Sequence, residues 1–301
     1  MKTTAFDIVK DQNLTGKVFL VTGAYSGLGA ITTEALLKAG ATVIAAGRNA
    51  KTQADFAKSL RENSELSFED HQLDTAQTID LGNLKSVQAF ANYVDGKYEQ
   101  IDVLVNNAGV MFTDPGKTVD GFETQMGINV IGHFLLSKIL VNKTKRQVWL
   151  SSKAHIRLGA PRIDLQAITE VDASNYNTQL RYQQSKLGNI LLAKQFYKSY
   201  PHLEAASVHP GVVSTNLGRN FTTMQKLLLI LRNPFLLMNI LKPEEGAATQ
   251  VMVATLPSDQ IQNGAYYADC KVTQEAESAT NMEDAQKLFD YCEKVTKNYQ
   301  A

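Results

Sequence analysis

The apolar positions of this chain form two kinds of segment, which alternate along its length. Short runs that are apolar throughout, such as KVFLVT (17–22), ATVIAA (41–46) and IDVLVN (101–106), are typical of buried strands. The stretches between them, including 27–39 and 83–97, are longer and carry apolar residues at helical spacing. Strands that are apolar on both faces and alternate with helices predict a doubly wound α/β fold, in which helices cover both sides of a parallel sheet.

The same alternation continues through the rest of the chain and completes the predicted sheet. Further strands are predicted near 75–80 (weak and polar), at 147–151 and at 205–209, and further helices at 51–62, 122–142 and 182–200. Ligands bind at the carboxyl ends of the strands in sheets of this kind. The residues that directly follow each strand are therefore the first candidates for a functional site.

Composition and charge narrow the class of protein. The 301 residues are 44% hydrophobic and contain no internal repeat or linker-like tract, which favours a single globular domain. Thirty basic residues balance thirty acidic ones, so no overall field favours nucleic acid or an anionic membrane. No apolar run approaches about 18 residues, so we expect no transmembrane segment. The N-terminus also lacks the apolar core of a secretory signal.

The cysteines and histidines show no metal-binding pattern. Cys270 and Cys292 fit neither a zinc spacing nor a disulfide framework. Thiols this sparse are typical of a reducing compartment, so we expect a cytoplasmic protein. His133, His155 and His209 are scattered along the chain and are interpreted as structural residues.

The first predicted strand ends in a glycine-rich turn, TGAYSGLG (22–29). Glycine allows the backbone to turn tightly and to approach a pyrophosphate, and the N-terminus of the following helix then faces that anion. A turn placed between a strand and a helix predicts a dinucleotide site, against the alternative of an ordinary glycine-rich turn. The cofactor-binding residues expected in this turn are Gly23, Tyr25, Ser26, Gly27, Leu28 and Gly29.

The second strand is followed by Gly47 and Arg48, where an NAD site usually carries an acidic residue. A carboxylate there would hold the 2′-hydroxyl of the ribose and repel a 2′-phosphate, whereas an arginine can bind the phosphate through two hydrogen bonds. Arg48 therefore favours NADP(H) as the cofactor. The alternative is that Arg48 is an ordinary solvated arginine.

A series of motifs gives the chain a family resemblance. In chain order they are TGAYSGLG, Asp80-Leu81, NNAG (106–109), GINVIGHF (127–134), VWLSS (148–152), YQQSK (182–186) and HPGVVST (209–215). In this order they resemble the short-chain dehydrogenase/reductase family, and GHFLLS, QSKLGN and YYADC are similar to its retinol-dehydrogenase-like and WW-domain-oxidoreductase-like branch. The resemblance covers a core of about residues 16–217. The remaining residues, 218–301, would form a substrate lid and a C-terminal part of the same domain.

Three copies of the spacing Tyr-x-x-x-Lys occur in the chain: YVDGK (93–97), YQQSK (182–186) and YADCK (267–271). Tyr93 precedes NNAG, in a helix that leads into a strand, and would face solvent or core. Tyr267 belongs to an apolar stretch that favours a strand, in which four residues span roughly 13 Å. Tyr182 and Lys186 lie in a predicted helix, where residues i and i+4 share a face. We therefore expect YQQSK to carry the chemistry.

The chemistry that such a pair supports is proton transfer at a carbonyl that receives a hydride. A tyrosine pKa near 10 would have to fall by roughly 3 units to act near neutral pH, which corresponds to about 4 kcal/mol. One ammonium group about 4 Å away contributes around 4 kcal/mol at an effective dielectric near 20. Lys186, helped by an oxidised nicotinamide ring, is sufficient in magnitude.

The resemblance implies a role for each of the four catalytic residues. Tyr182 would be the general acid in reduction and the base in oxidation, and Lys186 would hold the nicotinamide ribose and tune the tyrosine. Ser152 would hydrogen-bond the substrate oxygen, with Ser151 as a rival, because 30 residues separate Ser152 from Tyr182. Asn129 would complete a proton relay through water.

The resemblance also implies further cofactor contacts. Asp80 and Leu81 would contact the adenine, Asn107 the adenosine ribose, and Thr215 the nicotinamide amide. Relatives commonly form dimers or tetramers through the helix that carries the tyrosine and the helix before it. Apolar residues on 128–142 and 182–199 could serve such a homo-oligomer or face the sheet.

A lid near 217–242 would cover the substrate in this family. It contains KLLLILRNPFLLMNILK (226–242), whose two apolar runs predict a hydrophobic small-molecule substrate. The same segment could instead be a core or dimer-contact helix, or touch a membrane surface, although it lacks the usual basic face.

The sequence thus predicts an NADP(H)-dependent oxidoreductase that acts on a carbonyl or an alcohol. Two alternatives stay open: a cofactor-binding regulator or scaffold without turnover, and an enzyme that reduces a carbon–carbon double bond.

Overall fold

A computed structural model describes residues 2–156, 162–213 and 240–300. Thr215 and nearly all of the predicted lid near 217–242 lie outside these described residues.

The described residues form one eight-stranded sheet. Its strands are β1 Val18–Thr22, β2 Thr42–Ala46, β3 Leu73–Asp74, β4 Ile101–Asn106, β5 Thr144–Leu150, β6 Glu204–His209, β7 Tyr266–Ala268 and β8 Lys271–Val272. Their order is β3-β2-β1-β4-β5-β6-β7-β8, and every neighbouring pair is parallel except β7 with β8. The strand order reverses between β1 and β4, which opens a crevice at their carboxyl ends. The predicted doubly wound α/β fold is confirmed.

Helices cover both faces of the sheet. They are α1 Ala5–Val9, α2 Gly27–Lys38, α3 Ala50–Glu62, α4 Leu84–Lys97, α5 Thr124–Met126, α6 His133–Ile139, α7 Thr178–Ser199, α8 Pro243–Thr255 and α9 Met282–Thr296, with a π-helical turn Gly127–Gly132 between α5 and α6. Neighbouring strand residues point to opposite faces. Leu20 packs with α4, α6, α7 and α9, while Phe19 and Val21 pack with α1, α2, α3 and α8.

Three predicted elements have different bounds in the structure. The strand expected near 75–80 is a two-residue strand, Leu73–Asp74, because the polar run after it pairs with the sheet only through the Ile79 amide and the Gly47 carbonyl (2.8 Å). The helix expected over 122–142 is interrupted by the π turn and ends at Ile139. Helix α7 begins four residues before Tyr182, because the Asn177 side chain caps it by accepting a hydrogen bond from the Leu180 amide.

The described C-terminal residues, 240–300, form part of the sheet and of the helical layers. They supply α8, β7, β8 and α9, and α9 packs across α7 and α6. Phe289 of α9 lies edge-on to Phe134 and Phe196, with ring centres 5.1 and 5.2 Å apart. Lys138 and Glu293 form an ion pair between α6 and α9. The apolar residues on 128–142 and 182–199 were expected to face either a second copy of the chain or the sheet. They pack within this chain, in the core cluster that includes the sheet and α9.

Within the described ranges, no helix combines the length and the apolar character needed to span a membrane.

Candidate active site

The glycine-rich turn leads directly from β1 into α2. Gly23 has a φ of +66°, which an L side chain rarely adopts. A Cβ atom at Gly29 would lie 2.1 Å from the Gly23 carbonyl oxygen, so only glycine allows the helix to pack this closely on the turn. Ser26 occupies the N-cap position without a side-chain capping hydrogen bond, which leaves the first N–H groups of α2 available to an anion.

A cleft of about 270 Å³ lies over this turn at the carboxyl ends of the strands. Ten of the predicted cofactor-binding residues line it: Gly23, Tyr25, Ser26, Gly27, Leu28, Gly29, Arg48, Asp80, Leu81 and Asn107. Three features of this cleft fit the phosphates of a dinucleotide. The backbone is closely packed at two glycines, the helix N-terminus has free N–H groups, and an exposed arginine lies at one end.

Tyr25 and Arg48 define one end of the cleft. A Cβ atom at Gly47 would lie 1.7 Å from the Tyr25 hydroxyl, so the tyrosine ring covers this glycine. The Tyr25 hydroxyl is buried without a hydrogen-bond acceptor among the described residues, and burial raises its pKa to about 12. Arg48 is exposed and lines the cleft beside it. This end therefore offers a hydrogen-bond donor and a cation.

Asp80 and Asn107 use their side chains to hold the walls of the cleft. The Asp80 carboxylate accepts a hydrogen bond from the Gly82 amide (2.9 Å). The Asn107 side chain donates to the Thr22 carbonyl (2.7 Å) and accepts from Gln250 of α8 (3.2 Å), which ties β1 to the residues after β4. Their contacts to adenine and ribose stay predictions.

Tyr182, Lys186 and Ser152 come together beyond the carboxyl end of β5, next to Leu150 of the cleft lining. Tyr182 is buried, and its hydroxyl hydrogen-bonds the Ser152 hydroxyl. The Lys186 Nζ lies 5.7 Å from the centre of the Tyr182 ring and donates to the Leu150 carbonyl (3.0 Å). A Cβ atom at Gly109, in the NNAG motif, would lie 3.5 Å from this Nζ, so the lysine also adjoins the cleft lining.

Ser151 and Ser152 have separate environments in the structure. The Ser151 hydroxyl donates to the Lys186 carbonyl (2.7 Å) and is buried against α7. Ser152 is only half-buried and is the serine that contacts the Tyr182 hydroxyl. The geometry thus favours Ser152 over its rival as the serine that could meet a substrate oxygen.

Burial determines the protonation states of Tyr182 and Lys186. The resulting pKa values differ from those expected when only the charge of the lysine is considered. Desolvation raises the pKa of Tyr182 to about 12, and the hydrogen bond from Ser152 offsets only part of this. Desolvation also lowers the pKa of Lys186 to about 8. In the protein chain by itself, Lys186 therefore does not lower the pKa of the phenol. Tyr182 is neutral at pH 7 and carries the proton that a general acid would donate.

Asn129 is fully buried in the π turn. Its side-chain oxygen accepts from the Val110 amide (2.8 Å), and its side-chain nitrogen donates to the Val110 carbonyl and to the Ser185 hydroxyl (both 3.0 Å). A π turn inside an α-helix is frequently found at a functional site. The side chain of Asn129 thus joins the cleft wall to α7, and its share in a water relay stays a prediction.

Phe112 is a further residue beside Tyr182, and it was not predicted from the sequence. Its ring lies edge-on to that of Tyr182 with ring centres 5.3 Å apart. Its φ of +52° is rare for a bulky residue, and its amide donates to the Gln125 side chain (2.9 Å). Backbone strain of this kind clusters at functional sites. No periodicity marks Phe112, although its place shortly after NNAG is a signal that could have indicated it.

The other two Tyr-x-x-x-Lys copies lie outside the cleft. Tyr93 and Lys97 share a helix face in α4, with the hydroxyl and the ammonium 2.9 Å apart, and the half-buried Tyr93 ring packs against the core, which is one of its two expected positions. Both groups also bind the buried carboxylate of Asp74. Tyr267 lies in β7 as predicted, but a turn at 269–270 separates it from Lys271 on β8.

The histidines near the site bind backbone groups. The His155 ring contacts the Ser152 carbonyl through Nδ1 (2.6 Å) and accepts from the Ala276 amide (3.2 Å). His209 accepts from the Lys153 amide (3.3 Å). Burial lowers the pKa of both rings, that of His209 to about 4. These contacts agree with the interpretation as structural residues.

Comparison with known proteins gives a consistent result. Residues 17–151 match the family model described as short chain dehydrogenase. The chain is 35% identical to retinol dehydrogenase 14 of Mus musculus over 297 residues, which cover 92% of this chain and 85% of that protein. It is 34% identical to retinol dehydrogenase 12 of Homo sapiens over 284 residues, with the same coverage of 92% and 85%. A crystal structure of an uncharacterised protein from Mycobacterium paratuberculosis has a similar fold, with a TM-score of 0.74, 27% identity and coverage of 99% and 98%.

Proposed function

Because the chain belongs to the short-chain dehydrogenase/reductase family, in its retinol-dehydrogenase-like branch, we propose that it is an NADP(H)-dependent oxidoreductase for hydrophobic carbonyl compounds or alcohols. One observation carries the proposal. The hydroxyls of Tyr182 and Ser152 interact, and Lys186 one helical turn after Tyr182 donates to the carbonyl of Leu150, a residue that lines the cleft together with the glycine turn and Arg48.

The residues of the chain account for the proton in this reaction. A bound nicotinamide cofactor supplies the hydride in reduction and accepts it in oxidation. In reduction, Ser152 donates a hydrogen bond to the carbonyl oxygen of the substrate, and the neutral Tyr182 donates the proton that turns this oxygen into a hydroxyl. In oxidation the same steps run in reverse, so the deprotonated form of Tyr182 accepts the proton of the alcohol. Lys186, which is held to Leu150, adjoins both the phenol and the cleft and keeps a cation near them below pH 8.

The choice of NADP(H) is supported by the end of the cleft near β2. No carboxylate follows β2 directly, since Gly47 and Arg48 occupy these positions. The arginine is exposed and can act as a bidentate donor to a 2′-phosphate, while the buried Tyr25 ring covers Gly47 at the same end of the cleft.

A hydrophobic substrate is supported by the sequence and by the relatives. The segment 226–242 carries two apolar runs, LLLIL and FLLMNIL. The curated relatives at 34–35% identity carry the name retinol dehydrogenase, which denotes an apolar alcohol.

The first test compares two tyrosine variants. Tyr182→Phe should keep NADPH affinity and lose roughly 10²–10⁴ in kcat, which is the usual contribution of a general acid. The matched control is Tyr93→Phe, which removes the hydroxyl from the other helical Tyr–Lys pair and should keep the parental kcat. The assay follows NADPH consumption with a panel of apolar aldehydes and ketones. Equal activity of the Tyr182→Phe variant and the parent would remove the basis for this mechanism.

The second test addresses the cofactor. Arg48→Asp should lower the ratio of kcat/KM for NADPH to that for NADH by more than about tenfold, since a lost charged hydrogen bond costs about 1.5–3 kcal/mol. An unchanged ratio would show that Arg48 does not bind the 2′-phosphate.

The alternatives give different results with the same panel. NADPH binding without turnover on any carbonyl would support a regulator or scaffold instead. Turnover confined to compounds with a conjugated carbon–carbon double bond, with that bond reduced, would identify the other class of reductase. Cytoplasmic location, which the two free cysteines support, is tested by cell fractionation.

A further inference from the structure

A histidine ring joins the glycine turn to the residues around Tyr182. His133 is fully buried at the start of α6. Its Nε2 lies 2.9 Å from the Thr22 hydroxyl at the end of β1, and its Nδ1 lies 3.1 Å from the Asn129 carbonyl oxygen. The proposed mechanism uses neither ring nitrogen, so these contacts need a separate explanation.

The partners determine which nitrogen carries the proton. A carbonyl oxygen can only accept, so the contact with Asn129 requires a proton on Nδ1. The ring stays neutral because burial lowers its pKa to about 3. Nε2 therefore accepts, and the Thr22 hydroxyl donates to it (2.9 Å) in preference to the more distant Val105 carbonyl (3.4 Å). The Thr22 oxygen in turn accepts from the amides of Asn107 (3.0 Å) and Ala108 (2.9 Å).

The hydrogen bonds continue from Asn129 to the catalytic helix. The Asn129 side chain donates to the Ser185 hydroxyl (3.0 Å), which donates to the Tyr182 carbonyl (2.8 Å). One unbroken series thus runs from β1 and the NNAG motif, through His133 and Asn129, to the backbone of Tyr182. Asn129, Ser185 and His133 are all fully buried, so water does not compete for these bonds.

The Asn129 carbonyl lies within the π turn, where the regular pattern of backbone hydrogen bonds changes. Backbone hydrogen bonds in a π turn connect residues five apart instead of four, which displaces the donors along the helix. Asn129 lies inside this turn, and the ring that meets its carbonyl comes from the first residue after the turn. A space-filling apolar ring would give the same packing without this bond.

We propose that His133 is a positioning residue, whose Nδ1–H holds the Asn129 carbonyl and thereby fixes the backbone that places Tyr182 relative to the glycine turn. This inference rests on the proposed function for its kinetic consequence.

Two matched variants test the proposal. In His133→Asn the side-chain amide takes the place of Nδ1–H, and in His133→Gln it takes the place of Nε2. We expect His133→Asn to retain kcat within about threefold and His133→Gln to lose roughly tenfold or more, because only the second leaves the Asn129 carbonyl without its donor. KM for NADPH should change little in either variant.

Each variant leaves one buried partner unpaired, so we expect both to lose similar stability in urea unfolding. If His133 had only a structural role, kcat would follow stability and would fall equally in the two variants. If kcat falls equally in both, or further in His133→Asn, the positioning role is refuted. If the parent itself shows no turnover, the proposed function fails, and this outcome is distinct from a failure of the inference.

A measurement without any variant covers the case in which a variant does not fold. Two-dimensional ¹⁵N–¹H NMR of the full-length protein with labelled histidine reports the tautomer of the buried ring. A neutral ring protonated on Nδ1 at pH 7 is expected. A ring protonated on Nε2, or on both nitrogens, would overturn the proposal.

Discussion

Replacement of Lys186 by methionine should stabilise the protein in the absence of cofactor while abolishing turnover. Lys186 is 4% exposed, and burial alone accounts for its lowered pKa, with no opposing contribution from a carboxylate of the described residues. Among these residues its ammonium donates one hydrogen bond, to the Leu150 carbonyl (3.0 Å), and lies 5.7 Å from the centre of the Tyr182 ring. A buried cation without a counter-charge destabilises the folded state, and the lowered pKa of Lys186 measures this effect.

The magnitude follows from the change in pKa. Burial lowers the pKa of Lys186 from 10.5 to about 8, which at 1.36 kcal/mol per unit corresponds to about 3 kcal/mol of lost stability. Methionine removes this penalty and also one hydrogen bond, whose net contribution is about 1 kcal/mol. The Leu150 carbonyl keeps a donor, because Asn189 also binds it (2.8 Å). We therefore expect a net gain of about 2 kcal/mol at pH 7.

The gain should depend on pH in a defined direction. Below pH 8 the lysine is protonated in both the folded and the unfolded chain, so the penalty is fully present. Between pH 8 and 10.5 the folded chain loses the proton while the unfolded chain keeps it, and the penalty falls as the pH rises. The advantage of the variant should therefore shrink between pH 7 and pH 10.

Urea unfolding of the parent and of Lys186→Met at pH 7 and pH 10 measures both effects. The matched control is Lys97→Met, which removes the ammonium beside the buried Asp74 carboxylate (2.9 Å) and should destabilise the protein. The reasoning would be refuted if Lys186→Met were less stable than the parent at pH 7, or if its gain were the same at both pH values.

Three further predictions follow from the contacts of single residues. Ser152→Ala should lower kcat about a hundredfold, as for loss of a donor to a reacting oxygen, whereas Ser151→Ala should mainly lower stability; equal kcat losses would contradict this division. Phe289→Ala should destabilise the chain by about 3–5 kcal/mol in urea unfolding, and a loss below about 1 kcal/mol would show that α9 contributes little. Gly29→Ala should abolish NADPH binding in a fluorescence titration, because its Cβ would collide with the Gly23 carbonyl; retained affinity would contradict the tight turn.

The pattern of apolar residues was sufficient for most of the parallel sheet. Buried parallel strands need continuous apolar runs, and β1, β2, β4 and β6 have them. The same pattern was insufficient to predict β3. The buried Asp74 of this strand is held by two tyrosines and a lysine at the C-terminal end of α4. The pattern also left the role of α9 open, because an amphipathic helix does not reveal which surface it will cover.

The residues of the candidate site could be selected from motifs, but their interactions could not. The glycine turn and the Tyr182–Lys186 spacing are local patterns, so the sequence contains them in full. Other features depend on residues that are far apart in the chain. They are the hydrogen bond from Ser151 to α7, the contact of Phe112 with Tyr182 and the contact of Thr22 with His133. The balance between charge and burial at Tyr182 likewise needs the surrounding packing: in the chain alone burial raises the pKa of the phenol, whereas the expectation from sequence considered Lys186 together with a bound nicotinamide.

The position of α9 has a consequence for how the protein is made. A ribosome synthesises α6 and α7 well before α9, so the aromatic rings of Phe134 and Phe196 have no cover from Phe289 in the nascent chain. Exposed apolar surface on such intermediates is what chaperones bind. A chain arrested before residue 282 should therefore remain associated with a chaperone, and release should coincide with the arrival of the last helix.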